Sequence, residues 1–177
     1  MPSPTDQNRF LAQIEEHKRI LYKVANAYAK NQDDRQDLVQ DMVVQLWRSF
    51  DRFNDRSKFS TWMYRVVMNV AISAARSQTR RIRNQLPLDE AGLEIPVEDP
   101  WLADEGDDLR LLHQMIGKLD ELNRALIILY LDGYSHAEIG EIMGLSATNV
   151  STRINRIKQR WQNNSDTAQS VQDQEKT

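Results

Sequence analysis

The sequence contains no cysteine, so neither a disulfide bond nor a thiolate metal site can form. Its three histidines, His17, His113 and His136, lack the spacing of metal ligands. No apolar run approaches the length of a membrane span, and the polar start MPSPTDQNR is unlike a signal peptide. A P-loop, a dinucleotide fingerprint and a paired nucleophile and base are also missing. We therefore expect a cytoplasmic protein that is not an enzyme and uses no metal or cofactor.

The net charge of −3 conceals two adjacent segments of opposite sign. Residues 48–83 contain nine Arg or Lys residues and two Asp residues, a balance of +7. Residues 84–109 contain nine acidic residues and no basic one, a balance of −9. Such runs give one part of a surface its own sign, whatever the pI of the whole chain. The pattern predicts a basic surface suited to nucleic acid beside an acidic connector.

Apolar residues recur at helical spacing through the first half of the chain. A first amphipathic helix is predicted from Asp6 to Lys30, and a second follows a polar break with a capping aspartate, Asn31 to Asp34. The second helix has a wide apolar arc that either packs in its own bundle or offers part of itself to a partner. After the polar loop 54–59, Ser60 is expected to cap a third helix that reaches residue 82.

The second half is divided from the first by composition. Three of the five prolines, Pro87, Pro96 and Pro100, fall in the acidic segment and predict a flexible linker over residues 84–107. Helical periodicity then predicts four helices over residues 108–162, and the polar tail 163–177 is expected to be disordered. With 177 residues and 40% hydrophobic content, the chain can build small cores. The predicted fold class is all-α, with two small helical domains, residues 6–83 and 108–162, joined by the acidic linker.

Residues 134–161 predict a helix-turn-helix. Ser135 and Glu138 have the spacing of a capping box that starts one helix at about His136. Gly144 supplies the backbone freedom that ends this helix, and Ser146 caps the next. The second helix has an apolar stripe, which consists of Val150, Ile154, Ile157 and Trp161. The opposite face suits the major groove of duplex DNA and presents Asn149, Thr152, Arg153, Arg156 and Arg160. The plainer alternative is an αα-hairpin of a small bundle whose basic residues are only solvated.

Aromatic and basic residues are interleaved around the loop before the third helix. Phe59 and Trp62 follow this loop, and polar residues continue along the helix at Arg65, Asn69, Arg76, Arg80 and Arg81. Cations can hold the phosphates of a single strand while flat rings stack on its unpaired bases. The sequence therefore predicts a single-strand site, and the plainer alternative is that Phe59 and Trp62 are ordinary core anchors at the helix start.

These blocks resemble a bacterial RNA polymerase sigma factor of the extracytoplasmic-function (ECF) subfamily. Residues 37–53, DLVQDMVVQLWRSFDRF, resemble its polymerase-binding helix, and residues 58–81, KFSTWMYRVVMNVAISAARSQTRR, resemble its promoter-melting and minus-ten segment. The residues that resemble its minus-thirty-five recognition domain are Leu119, Arg124 and the runs GYSHAEIGEIMGLS and NVSTRINR. The resemblance implies a transcription initiation factor that binds core RNA polymerase, directs it to promoters and helps to open the minus-ten region.

The resemblance also implies roles for individual residues. The surface that docks on core polymerase would include Asp37, Leu38, Gln40, Asp41, Leu46 and Trp47. The site for the melted minus-ten strand would include Asn54, Asp55, Arg56, Ser57, Lys58, Phe59, Trp62, Arg65, Asn69, Arg76 and Arg80. The face on the minus-thirty-five duplex would include Asn149, Ser151, Thr152, Arg153, Arg156 and Arg160. The implied partners are core RNA polymerase, promoter DNA as duplex and melted strand, and an anti-sigma factor, with no membrane insertion.

The chain departs from the family pattern at five positions. They are Ser73 for an acidic or amide residue, Asp120 for proline, Gly140 for alanine, and Asn149 and Ser151 where Thr and Lys are frequent. The last two leave open which bases the helix reads. The residues also leave open a helix-turn-helix regulator that binds a palindrome as a dimer, and an RNA-binding adaptor that uses the basic first domain. The acidic linker is either a shield for the basic surface or a solvated spacer.

Overall fold

The computed structural model describes residues 4–54, 56–85 and 106–174. All regular structure in these ranges is helical, and the chain divides into two compact units, Met1–Arg124 and Ala125–Thr177. The predicted all-α class with two small helical domains is confirmed. Most of the predicted linker lies outside the described residues, so the predicted domain limits stay a prediction. Among the described helices, none is both long and apolar enough to span a membrane.

Three helices of the first unit pack on one another as a bundle. They are α1, Pro4–Tyr28, α2, Gln32–Ser49, and α3, Phe59–Gln85, and a 3-10 turn, Phe50–Arg52, follows α2 directly. Each helix buries one apolar stripe, as amphipathic helices around a common core do. The buried side chains include Phe10, Leu21, Val24 and Ala25 of α1, Leu38, Met42 and Leu46 of α2, and Met63, Val67, Met68 and Ala71 of α3.

The starts of α2 and α3 differ from the prediction in which residue forms the cap. The side chain of Asn31, not an aspartate, caps α2 by accepting a hydrogen bond of 2.8 Å from the Asp34 backbone N–H. Helix α3 begins at Phe59, and the Trp62 N–H already donates to the Lys58 carbonyl at 3.2 Å. The prediction that Ser60 caps α3 is therefore wrong, because Ser60 lies inside the first turn.

Helix α4, Asp107–Gly117, packs against α1 in the same unit. The Arg124 guanidinium donates hydrogen bonds to the Ala27 carbonyl at 3.0 Å, the Gly117 carbonyl at 2.7 Å and the Leu119 carbonyl at 2.9 Å. The Gly117 and Leu119 carbonyls lie at and just past the end of α4, where carbonyls have no partner within the helix. Arg124 thereby joins the end of α4 to the end of α1.

The second unit contains the predicted helix-turn-helix. Helix α5, Glu121–Leu131, begins in the first unit and ends in the second, and α6, His136–Met143, and α7, Ala147–Gln174, follow it. Gly133, at φ 85°, takes the left-handed conformation where the chain leaves α5. The buried side chains of the unit include Ala125, Leu126, Ile127, Ile128, Leu129, Ile139, Ile142, Val150, Ile154 and Ile157. The predicted apolar stripe of α7 is confirmed, with Trp161 half-buried at its end.

Each predicted cap of the helix-turn-helix is present. The Ser135 hydroxyl accepts from the Glu138 backbone N–H at 3.2 Å, and the Glu138 carboxylate accepts from the Ser135 N–H at 2.8 Å. Gly144 ends α6 in the left-handed conformation, at φ 70°. The Ser146 hydroxyl accepts from the Asn149 backbone N–H at 3.2 Å at the start of α7. These contacts satisfy backbone groups that helix ends otherwise leave without partners.

Gly140 permits the tight turn between α6 and α7. A Cβ atom at this position would lie 2.5 Å from the Leu145 carbonyl oxygen, which is closer than a Cβ atom approaches a neighbouring heavy atom without a shift of the backbone. The Leu145 N–H donates to the Gly140 carbonyl at 2.9 Å, which holds the two backbones together. Gly140 is thus required by the turn backbone beside it.

Helix α7 continues to Gln174. It therefore passes residue 163, where the sequence predicts the start of a disordered tail. Residues 163–174 are helical, and residues 175–177 lie outside the described part of the chain.

Candidate nucleic-acid interfaces and docking surface

One face of α7 gathers the polar residues predicted to read duplex DNA. At about 100° of rotation per residue, five side chains fall within roughly a third of the helix circumference. These residues are Asn149, Thr152, Arg153, Arg156 and Arg160, and all are exposed except the half-buried Arg153. We call them the α7 polar face. Ser151 does not share it, because it lies about 160° around the helix from Asn149 and is half-buried.

Two members of this face are bonded to each other. The Arg153 Nε–H donates a hydrogen bond of 2.8 Å to the Asn149 Oδ1 atom, one turn earlier in α7. Helical side chains lean toward the N-terminus of their helix, so the head of Arg153 lies over Asn149. The pair is a local structure that periodicity alone does not reveal.

A contact that the sequence did not suggest fixes α7 to α5. The Lys158 Nζ atom lies 5.2 Å from the centroid of the Tyr130 ring and donates to the Tyr130 hydroxyl at 3.2 Å. The Tyr130 ring in turn stacks on His136 of α6, with centroids 6.0 Å apart. Lys158 is basic, but its contact with Tyr130 gives it a structural role on a side of α7 away from the α7 polar face.

Six aromatic rings join α1, α2, the 3-10 turn and α3 around one end of the bundle. We call them the ring cluster, and its members are Phe10, Trp47, Phe50, Phe53, Phe59 and Trp62. Phe59 is only 6% exposed, with its centroid 5.3 Å from Trp62 and 5.4 Å from Phe53. The Phe59 ring is therefore enclosed and has no open face for a base, so its place in the single-strand site stays a prediction that its burial does not support.

Phe53 and Trp62 are the half-buried rings of the cluster that border the loop. Their centroids lie 5.2 Å apart, and the Arg9 guanidinium carbon lies 6.0 Å from the Phe53 ring. Phe53 was not among the residues predicted for the single-strand site, because helical periodicity places it in the apolar arc of the second helix. Its position next to the polar loop was the signal that could have identified it.

The loop itself presents cations beside these rings. Asn54, Arg56, Ser57 and Lys58 are exposed, and the Arg56 backbone N–H donates to the Asn54 side-chain oxygen at 3.3 Å. Asp55, the remaining predicted residue of the loop, lies outside the described residues. The arrangement provides positive charge for phosphates next to partly open aromatic rings.

Arg81 lies on another side of α3, but the other four predicted polar residues of this helix share one exposed face. Taking about 100° per residue, they fall within roughly 60° of one another together with Trp62. They are Arg65, Asn69, Arg76 and Arg80. The stripe extends from Trp62 to Arg80 over roughly 27 Å, at 1.5 Å per residue. A basic track of this length leads away from the ring cluster.

On α2 the structure separates the predicted docking residues into two groups. Asp37, Gln40 and Asp41 are exposed, whereas Leu38 is 6% exposed and Leu46 is fully buried. The two leucines therefore belong to the core of the bundle, and their place on the docking surface stays a prediction that their burial does not support.

Trp47, the sixth predicted docking residue, is half-buried, with its ring 4.9 Å from that of Phe10. An open groove between α2 and α3 adjoins the exposed acidic residues, and its walls include Asp41, Val44, Arg48, Val66, Asn69 and Val70. Val44 is 46% exposed, so the groove combines apolar and charged side chains.

Comparison with known proteins decides the family. Residues 13–81 match the family described as Sigma-70 region 2, and residues 109–160 match the family described as Sigma-70, region 4. The ECF RNA polymerase sigma factor SigW of Bacillus subtilis is 30% identical over 162 residues, which cover 85% of this chain and 86% of that protein. The chain belongs to the ECF sigma factors. The suspected family resemblance is thereby confirmed.

Other relatives of this sigma factor agree. The ECF RNA polymerase sigma factor SigE of Mycolicibacterium smegmatis is 28% identical over 167 residues, and the chain spans 64% of that protein's length. The sigma factor RpoE, in a co-crystal structure with the anti-sigma factor NepR from Bartonella quintana, matches with a TM-score of 0.67 at 24% identity, over 89% of this chain and 94% of that one. CnrH in complex with the cytosolic domain of CnrY matches with a TM-score of 0.64 at 23% identity, over 91% of this chain and 90% of that one. These two structures support the fold.

Within this sigma factor, the two family matches separate the two kinds of surface. The region 2 match contains the exposed acidic residues of α2, the loop and the basic stripe of α3, and most of the ring cluster. The region 4 match contains α5, α6 and the part of α7 that carries the α7 polar face. Helix α4 belongs to the region 4 match although it packs in the first unit.

Proposed function

We propose that this sigma factor binds core RNA polymerase, directs it to specific promoters and helps to open the minus-ten region. Transcription initiation with RNA polymerase is the activity of its family. The observation that carries the finer proposal is that one chain holds, in two separate units, a face suited to duplex DNA and a site suited to a melted strand. A repressor needs only the first of these, and an RNA-binding adaptor needs only the second.

The α7 polar face supports recognition of the duplex. The second helix of a helix-turn-helix lies in the major groove, with its first residues against the base edges. Asn149 is the third residue of α7, and Arg153 follows one turn later, so Arg153 lies in the first two turns, where a recognition helix meets the base edges. Arg156 and Arg160 continue the same face, where guanidinium groups can bind the phosphates that position a protein on DNA.

The loop and the half-buried rings support capture of the opened strand. Once the duplex opens, unpaired bases can stack on Phe53 and Trp62 while Arg56 and Lys58 bind the phosphates. Base stacking on an aromatic side chain is worth roughly 1–3 kcal/mol per base. Unstacking one base step costs a similar amount, about a few kcal/mol, so a small number of such contacts can decide whether the duplex stays open.

The exposed face of α2 supports docking on the polymerase. Asp37 and Asp41 present negative charge beside the groove that contains Val44 and Val66. A mixed apolar and charged groove fits a helical partner with a complementary basic side. RpoE and CnrH were each solved with a protein partner, so an anti-sigma factor is proposed as a second partner of this chain.

Attachment of both DNA-binding faces to one polymerase gives selectivity for promoters that contain both elements. Each DNA-binding face is small and would bind weakly alone, but two faces held on one polymerase act at a high effective concentration on one promoter. No residue of this chain needs to perform chemistry, because the polymerase forms the phosphodiester bonds.

The experiment that tests the proposal is transcription in vitro with core RNA polymerase and fragmented genomic DNA. We expect a limited set of transcripts whose start sites share two upstream elements, and strong promoter binding by the protein only when core polymerase is present. Binding should weaken steeply with salt, because phosphate contacts release counterions. A variant with Arg153, Arg156 and Arg160 changed to alanine should lose this selectivity, whereas Asn155→Ala, exposed on another side of α7, should retain it.

The alternatives give different results. Tight binding of a palindrome by the protein alone, without new transcripts, would establish a self-sufficient regulator. Binding to single-stranded RNA that is unchanged in the triple arginine variant, again without transcripts, would establish an RNA-binding adaptor. Either result contradicts the proposed function.

A further inference from the structure

The bond between Asn149 and Arg153 constrains what each side chain can read. An arginine contacts guanine through two donors directed at the N7 and O6 acceptors, whereas an asparagine contacts adenine with one donor and one acceptor. Arginine has only donors, so its partner atom in the 2.8 Å bond must be the carboxamide oxygen of Asn149. That oxygen is the atom that would accept the adenine N6–H.

The charge of the guanidinium makes the adenine contact unfavourable. An adenine amino group that approached the Asn149 oxygen would place its N–H donors beside the positively charged donor of Arg153. A guanine edge would instead bring two acceptors to the guanidinium of Arg153, which has only donors. The pair therefore favours guanine over adenine where the two side chains meet the groove.

The bond also orders the longer side chain before any DNA is bound. A free arginine loses rotamer freedom when it makes a base contact, and this loss weakens binding. The Nε atom bonded to Asn149 lies next to the terminal nitrogens of the guanidinium, so the bond fixes the plane of the whole group. Asn149, at a position where the family often has threonine, thus fixes the orientation of the Arg153 side chain one turn away.

We propose that Asn149 is a positioning residue for Arg153, which it holds in the orientation that selects guanine in the upstream promoter element. This inference rests on the proposed function and deepens it, because it states which residue pair sets the base preference. Asn149 acts through Arg153 and does not read a base pair of its own.

Promoter libraries with a randomised upstream element, transcribed with core polymerase, test the inference. Five proteins are compared: the wild type, Asn149→Ala, Arg153→Ala, the double variant and Asn149→Asp. Alanine at position 149 keeps the cap of α7, since Ser146 bonds the backbone N–H of Asn149 and not its side chain. Helical circular dichroism of each variant checks that the unit is folded.

We expect the wild type to prefer guanine at one position of the element. Arg153→Ala should reduce that preference about 5- to 150-fold, the range for loss of a bidentate contact. Asn149→Ala should reduce it at the same position about 2- to 12-fold, the range for ordering one long side chain. The double variant should equal Arg153→Ala alone. Asn149→Asp should restore the guanine preference, because a carboxylate still accepts from Nε, while its charge weakens binding to every sequence.

Three results would overturn the inference. If Asn149→Ala changes the preference at a position that Arg153→Ala does not affect, Asn149 is an independent reader. If the two effects are additive in the double variant, the side chains do not act as a pair. If Asn149→Asp leaves the guanine preference as low as Asn149→Ala does, the acceptor oxygen is not what matters. In all three cases the wild type still produces promoter-specific transcripts, whereas failure of the proposed function would leave the wild type without any.

Discussion

The guanidinium carbon of Arg124 lies 5.0 Å from the centroid of the Tyr28 ring. The Tyr28 hydroxyl donates to the Glu121 carbonyl at 2.5 Å, and the Arg124 guanidinium donates to the Ala27 carbonyl at 3.0 Å. Each side chain therefore bonds a backbone carbonyl that is close in sequence to the other residue. A planar guanidinium with five donors can stack on a ring and serve several carbonyls at once, which an ammonium group cannot do. Arg124 is therefore a structural residue of the first unit.

Replacing Arg124 with lysine should destabilise the first unit by about 1.5–3 kcal/mol, because hydrogen bonds from a charged group to backbone carbonyls are lost. Urea unfolding followed by circular dichroism measures this. Arg19→Lys, at an exposed position of α1, is the control and should leave the midpoint unchanged. Equal midpoints for both variants would mean that the Arg124 contacts add no stability.

Gly140→Ala should destabilise the second unit even though alanine is the better helix former. The gain in helix propensity is about 1 kcal/mol, but a Cβ atom 2.5 Å from the Leu145 carbonyl oxygen forces the turn apart. Overpacking of this kind costs about 1–3 kcal/mol, so the net change should be unfavourable. Thermal unfolding measures it. Ala147→Gly, at the exposed first position of α7, provides a comparison without steric conflict. A raised melting temperature for Gly140→Ala would contradict the prediction.

Asp41→Arg should abolish co-purification with core polymerase and leave the helical signal unchanged. The substitution reverses the charge of an exposed side chain in the wall of the α2–α3 groove. Rejection by the complementary surface of the partner is the physical reason. Glu16→Arg changes the net charge equally at an exposed position of α1 and should bind polymerase normally. If Asp41→Arg competes for core enzyme as well as wild type does, the docking surface lies elsewhere.

Phe53→Ala combined with Lys58→Ala should impair promoter opening while polymerase binding and closed-promoter binding stay nearly intact. The ring that can stack on a base and the cation beside it are both removed, at a stacking loss of roughly 1–3 kcal/mol per base. Permanganate reactivity of minus-ten thymines and run-off transcription should fall together. A template with a pre-melted bubble should restore most of the transcript. Normal permanganate reactivity in this variant would contradict the proposed role.

Phe59→Ala is the matched comparison, because Phe59 belongs to the same ring cluster but is buried. Its loss should destabilise the first unit by about 3–5 kcal/mol and lower the helical signal at moderate temperature. Lys58→Ala alone, in an exposed residue, should stay folded and show part of the opening defect. A fully stable Phe59→Ala protein that fails to open promoters would instead assign Phe59 to the strand-binding site.

The helix-turn-helix could be predicted because its signals are local. Ser135 with Glu138, the left-handed Gly144 and the cap Ser146 each act within a few residues, and all three are present. The α7 stripe follows from the helical period for the same reason. The family resemblance rests on the same short runs, and the two family matches confirm it.

The members of the ring cluster could not be sorted from the sequence. Phe53 and Phe59 are both aromatic, both flank one loop and both fit an apolar arc, yet only Phe59 is fully enclosed. Which ring turns inward depends on contacts from α1 and α2, and periodicity in one segment contains no information on those contacts. The same limit applies to Leu38 and Leu46, which share α2 with exposed acidic residues. The Asn149–Arg153 bond likewise depends on rotamers, which residue spacing does not specify.

The loop between the 3-10 turn and α3 starts after Phe53 and ends before Phe59, whose ring centroids are 5.4 Å apart in the ring cluster. The two ends of the loop are therefore brought together by the folded bundle, and the entropy of closing it is already lost before DNA arrives. The proposed binding of a melted strand then needs to order only the residues between Phe53 and Phe59. A loop supported in this way can be exchanged without a change in the helices. We expect that the corresponding loop of another ECF sigma factor, placed between Phe53 and Phe59, transfers its minus-ten base preference to this chain.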